Sequence, residues 1–77
     1  MLVFTWHFKQ EFETLNKPLE FILRVLEKGE HVLVSKRQKK YNVFYPYKRG
    51  YICLSYVEYE SVILIHIKPI RKRRDGK

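Results

Sequence analysis

The stretch that decides the fold reads Tyr41-Asn-Val-Phe-Tyr-Pro-Tyr47-Lys-Arg-Gly50-Tyr-Ile-Cys-Leu-Ser-Tyr-Val57. Two runs of β-branched and aromatic residues flank a Lys48-Arg49-Gly50 break, the composition of two strands joined by a tight turn. The glycine is expected to take the positive-φ position that such turns require. Pro46 has no N–H to give a ladder, so residues 41–47 are expected at a sheet edge or beside a bulge. Residues 31–35 on one side and 62–68 on the other have the same character, and residues 58–61 make a second reversal. The reading is therefore four short strands, with antiparallel pairing in the hairpins.

Upstream, the pattern changes. Leu2, Phe4, Trp6 and Phe8 alternate with Val3, Thr5, His7 and Lys9, a period of two that predicts a further strand. Asn16 and Pro18 supply a helix cap and an early-helix proline. Leu19, Ile22, Leu23 and Leu26 then recur at helical spacing, and Gly29 closes the segment. One helix is predicted over residues 17–28, and Phe12 and Leu15 suggest a single turn before it. The expected order is β-α-β-β-β-β. Residues 1–69 form one α+β domain, a small antiparallel sheet of about five strands with one amphipathic helix packed on one face, and residues 70–77 form a basic C-terminal tail. Leu2, Phe4, Trp6, Phe8, Ile52, Leu54, Ile63, Ile65 and Ile67 are expected to line the covered face, leaving the other to solvent or a ligand.

A chain of 77 residues with 45% apolar composition supports one small core and no separate catalytic domain. Its one cysteine, Cys53, cannot close an internal disulfide, which favours a cytoplasmic setting over an oxidised secreted one. No apolar run, 62–65 included, is longer than four residues, far short of the roughly 20 a membrane span needs, so no membrane partner is expected.

The formal charge is +8, and it is unevenly placed. Residues 1–30 carry Lys9, Lys17, Arg24 and Lys28 against five glutamates, so this third is close to neutral. Lys36, Arg37, Lys39, Lys40, Lys48 and Arg49 then follow with no acid between Glu30 and Glu58. Lys68, Arg71, Lys72, Arg73, Arg74 and Lys77 close the chain against a single Asp75. Segregation of this kind points to a polyanionic partner rather than to general solubility.

Tyrosines interleave with these bases. Tyr41, Tyr45 and Tyr47 share strand parity and so line one face. Single-stranded nucleic acid needs both cations along its phosphates and flat rings beneath its bases. The candidate nucleic-acid-binding residues are thus Lys36, Arg37, Lys39, Lys40, Tyr41, Tyr45, Tyr47, Lys48 and Arg49. The tail adds Arg71, Lys72, Arg73 and Arg74, whose guanidinium forks suit phosphate oxygens. His7, His31 and His66 fit no metal-ligand spacing, and Glu58 and Glu60 read as solvated turn residues. With no Ser-His-Asp spacing and no glycine-rich phosphate loop, no catalytic residue, metal or cofactor is assigned, and the reading is of a binding protein rather than an enzyme.

Residues Tyr45-Pro-Tyr-Lys-Arg-Gly50, then Tyr56 and Val62-Ile-Leu-Ile-His-Ile-Lys-Pro69-Ile-Arg-Lys, resemble the C-terminal hairpin of the RelE/ParE toxin superfamily. The resemblance covers about 30 residues. It implies a β-sheet with a basic rim, and a messenger-RNA endonuclease that works with basic residues, Lys48, Arg49, Arg71 and Arg73 here, and without a metal. Cys53 stands where that family carries an arginine, and the segment between the first two strands reads as too short for its two-helix hairpin.

Three functions follow as expectations. The first is a small basic RNA- or single-stranded-DNA-binding protein. The second is a RelE-like endonuclease toxin, and the third a viral or mobile-element interaction protein that binds an acidic host factor. Edge pairing of residues 41–47 between two copies is the expected route to any homodimer.

Overall fold

Thr5 is where the chain leaves the expected path. In a computed structural model, which describes residues 1–72, Thr5 is extended. Its Oγ1 accepts a hydrogen bond from the Phe8 amide (3.2 Å) and donates one to the Leu64 carbonyl (2.9 Å). The hydroxyl is thus a helix cap and a tether at once. Strand β1 ends after three residues, Leu2–Phe4, and helix α1 occupies Trp6–Leu15. Phe8, Phe12 and Leu15 turn toward the core at helical spacing, whereas Trp6 is left 74% exposed. Phe8 satisfies both periods; the cap decides between them. Trp6 is therefore no part of the inner layer, and the residues expected to finish the first strand begin a helix instead.

Asn16 ends α1 rather than starting the next helix. Its backbone is left-handed (φ 54°) and its N–H bonds the Glu13 carbonyl at 3.1 Å, the usual way a helix end is satisfied. Pro18 caps helix α2, Leu19–Lys28. The buried stripe of α2 is Phe21, Ile22 and Val25, with Leu26 partly covered. Leu19 and Leu23 are about half exposed, so the stripe is rotated from the expected one. Phe21 sets that rotation, because its ring meets the edges of Tyr45 and Tyr47 at 6.0 and 5.9 Å.

Strands β2 (Glu30–Ser35), β3 (Lys40–Tyr47), β4 (Gly50–Glu58) and β5 (Val62–Ile70) complete a five-stranded sheet in the order β1-β5-β4-β3-β2. The α+β class and the number of strands are as expected. Two details are corrected. The sheet is mixed, because β1 runs parallel to β5, and two helices cover it instead of one, so the segment between β1 and β2 does hold a helix pair. Helix α1 packs on β5 and α2 on β3.

The core lies between these helices and one sheet face, where Val43, Ile52, Leu54, Tyr56, Leu64 and Ile67 meet Phe8, Phe21, Ile22 and Val25. A bulge in β5 corrects another expectation. Tyr56 pairs with Leu64 and Ser55 with His66, so Ile65 is an extra residue that shifts the alternation. Leu64 and Ile67 point into the core, and Ile63 and Ile65 stay outside it.

Pro46 is accommodated without a bulge. β3 is internal over Lys40 to Phe44, but its partner β2 begins at Glu30, opposite Phe44. Beyond that point β3 is a local edge, and the missing N–H costs no ladder bond. The strand at the outer edge of the sheet is β2, so residues 41–47 are largely paired already on both sides. Among the described residues no helix is long and apolar enough to cross a membrane.

Candidate functional site

The antiparallel ladder sends the two basic turns to opposite ends of the sheet. The β2–β3 turn carries Lys36, Arg37 and Lys39, with Lys40 opening β3; the β3–β4 turn carries Lys48 and Arg49. Eight residues of β3 separate these turns, a span of about 24 Å at the usual rise per strand residue. The cations that adjoin in sequence are thus divided between two poles.

The pole at the β3–β4 turn gathers charge from distant parts of the chain. Tyr51 pairs with Ile70, which brings the end of β5 beside the turn. Gly50 makes this possible: a Cβ there would collide with the Ile70 carbonyl oxygen and lie 3.1 Å from the Arg71 Cα. The glycine serves this close approach, and it is Lys48 that holds the left-handed position of the turn (φ 53°). A groove runs from the end of α1, at Thr14 and Leu15, past Tyr47, Lys48 and Arg49 to Ile70 and Arg71. No acidic residue lines it among the described residues. On one side it shares Tyr47 and Lys48 with a smaller groove bounded by Lys17, Arg24 and Glu20. On the other it shares Ile70 and Arg71 with a groove on the helix-free face, lined by Lys68, Lys72, Phe44 and Cys53.

Tyr47 is the aromatic centre of this pole. The Lys17 and Lys48 ammonium groups lie 5.3 and 5.4 Å from its ring centroid, within cation–π range. Tyr45 neighbours it on the same face and packs on Phe21. Tyr41 shares that parity but belongs to the opposite pole, stacked on Tyr56 at 5.2 Å and 17°. The expected tyrosine face is therefore the helix-covered face. Its rings pack against the core; the end bearing Tyr47 and Tyr45 opens into basic grooves, and Tyr41 lines a further groove with Lys36, Lys39 and Glu58.

Of the candidate residues, Tyr45, Tyr47, Lys48, Arg49, Arg71 and Lys72 come together at one end, and Lys36, Arg37, Lys39, Lys40 and Tyr41 lie at the other. Arg73 and Arg74 lie outside the described residues. Sequence reasoning missed Lys17, Arg24 and Lys68. Lys17 belongs to the near-neutral first third, and only the packing of Phe21 on Tyr47 reveals that it joins the basic end. No lysine or arginine among the described residues forms an ion pair with a carboxylate of another described residue; the close contacts of a carboxylate with a basic side chain there are His7–Glu11 and His66–Glu11.

Two titratable groups flank these features. Burial pushes the Cys53 thiol above its ordinary pKa, only partly opposed by the Lys68 ammonium and a hydrogen bond with Ser55. Burial also raises the Tyr56 phenol, with the Glu58 carboxylate and Tyr41 adding to the effect. Comparison with protein-family models, with curated proteins and with solved structures gives no match to this chain.

Proposed function

We propose that the protein binds single-stranded nucleic acid at the β3–β4 end, with phosphates on the cations and a base against Tyr47. The observation that supports this most is the convergence of Lys48, Arg49 and Arg71 in a groove lined by no acid among the described residues, with Lys17 reaching the same partly exposed Tyr47 ring from the adjoining groove, which Glu20 also lines. Cations held together with no carboxylate partner among the described residues raise a standing positive potential, which a polyanion relieves. An aromatic face beside them gives a sequence-tolerant stacking platform.

Salt-titrated binding to matched single-stranded RNA, single-stranded DNA and duplex DNA tests the reading. With about five phosphates contacted, log affinity should fall against log salt with a slope near −3.5 on a single strand, at about −0.7 per contact. Tyr47→Leu should weaken single strands more than duplex. No binding, or binding without a salt slope, removes the proposal.

A second reading, a RelE-type endonuclease, is favoured by one observation: two helices stand between β1 and β2. The two-helix hairpin that the resemblance implies therefore has its counterpart in the chain. Under this reading expression arrests growth, and Lys48→Ala or Arg71→Ala relieves the arrest. Harmless expression of the unsubstituted chain rejects it.

A further inference from the structure

Where α1 meets the edge of β5, one helix turn and one strand bulge bring together three groups that the nucleic-acid reading does not use. His7 and Glu11 are four residues apart on α1, which places both side chains on one helix face. The Thr5 tether fixes where α1 starts relative to β5. The bulge at Ile65 turns His66 toward the same spot. His66 Nδ1 lies 3.3 Å from Glu11 Oε1, His7 Nε2 lies 3.6 Å from Glu11 Oε2, and the two imidazoles meet edge to face at 4.7 Å. One ligand atom from each residue falls within 4.8 Å of the others.

We propose that His7, Glu11 and His66 form a three-ligand site for a divalent ion of the zinc class, with a further position open to solvent. Zinc bonds of about 2.0–2.2 Å in tetrahedral geometry place ligand atoms roughly 3.4 Å apart, the separation already present between the carboxylate and each imidazole. Glu11 Oε1 also accepts the Ile67 amide at 3.1 Å, a bond that orients the carboxylate from outside the ligand set. Two imidazoles with one carboxylate suit zinc, cobalt or nickel, whereas magnesium and calcium favour all-oxygen sites. The side chains are partly exposed, 59% for His7 and 41% for His66, so an ion reaches them from solvent. Bound there, it joins α1 to β5 at the sheet edge that β1 leaves uncovered after Phe4.

The test is calorimetric titration of the full chain with zinc, paired with the absorption spectrum of the cobalt-loaded protein. The expected result is one ion per chain. His66→Gln and His7→Gln should each weaken binding at least tenfold, and Cys53→Ser should leave it unchanged. His7→Gln is the safest variant for folding, because the residue is solvent-facing, and far-UV circular dichroism checks each protein. Absence of saturable binding by the unsubstituted chain overturns the proposal. So does binding that survives both histidine substitutions, or binding abolished by Cys53→Ser.

Discussion

Lys48 holds a left-handed backbone at the centre of the basic pole, and Lys39 (φ 52°) holds one in the other basic turn. A side chain with a Cβ loses about 1 kcal/mol or more in that region, where glycine loses almost nothing. Lys48→Gly should therefore raise stability by about 0.5–1 kcal/mol, read as a higher Tm, while weakening nucleic-acid binding. A variant that is both more stable and equally tight would show that the lysine has no part in the site. His31 and Tyr56 set a second residue-scale prediction. The Leu26 carbonyl can only accept, so His31 Nε2 donates to it (2.7 Å), and in the neutral ring Nδ1 is left to accept from the Tyr56 hydroxyl (2.8 Å). This bond joins the end of α2 to β2 and β4, and Tyr56→Phe should cost about 1 kcal/mol in a denaturant titration at neutral pH. The same phenol has a raised pKa in the fold, so as pH rises above about 10 the unfolded chain loses that proton first. The Tyr56 contribution to stability is then intact below pH 10 and shrinks above it, and the Phe variant should lack that alkaline loss. Cys53, its thiol also raised by burial, should react with a disulfide reagent more slowly at pH 8 than a free thiol does.

At the scale of elements, much of the sheet was legible because composition and turn chemistry agree. β-Branched and aromatic composition marked β3 and β4, and the Lys48-Arg49-Gly50 break marked their turn. What escaped has identifiable physical causes. The alternation of residues 2–8 overlaps a helical period through Phe8, and the Thr5 cap that resolves the conflict depends on a carbonyl 59 residues away. Ile63, Ile65 and Ile67 alternate faultlessly in sequence, yet a bulge, which costs only one unpaired residue, moves the core to Leu64 and Ile67. Thr5→Ala should lower stability by about 1 kcal/mol or somewhat more, since it removes the cap as well as the tether to β5. Gly50→Ala tests a different contact. Its new methyl collides with the Ile70 carbonyl, so the end of β5 must move from the β3–β4 turn and carry Arg71 with it. Nucleic-acid affinity should fall in that variant even though no charge has changed; unchanged affinity would separate Arg71 from the turn as a binding unit.

For the whole molecule, the count and sign of the charge were readable from the sequence, but its partition was not. Neighbours in sequence, Lys40 and Lys48, stand at opposite poles because an extended strand runs between them, and Lys17 joins Lys48 because α2 packs across β3. The tyrosines were legible as one face, but burial by α2 turned most of that face into core. The central claim is therefore positional: one basic pole binds and the other is a solvated turn. The most direct measurement compares two double variants of equal charge change, Lys48→Ala/Arg71→Ala and Lys36→Ala/Arg37→Ala, on a short single-stranded RNA across a salt series. The account predicts that the first pair loses affinity steeply and flattens the salt slope by about 1.4, at about −0.7 per lost phosphate contact, while the second pair stays close to the unsubstituted protein. Equal losses from both pairs, or a larger loss from Lys36→Ala/Arg37→Ala, would contradict it.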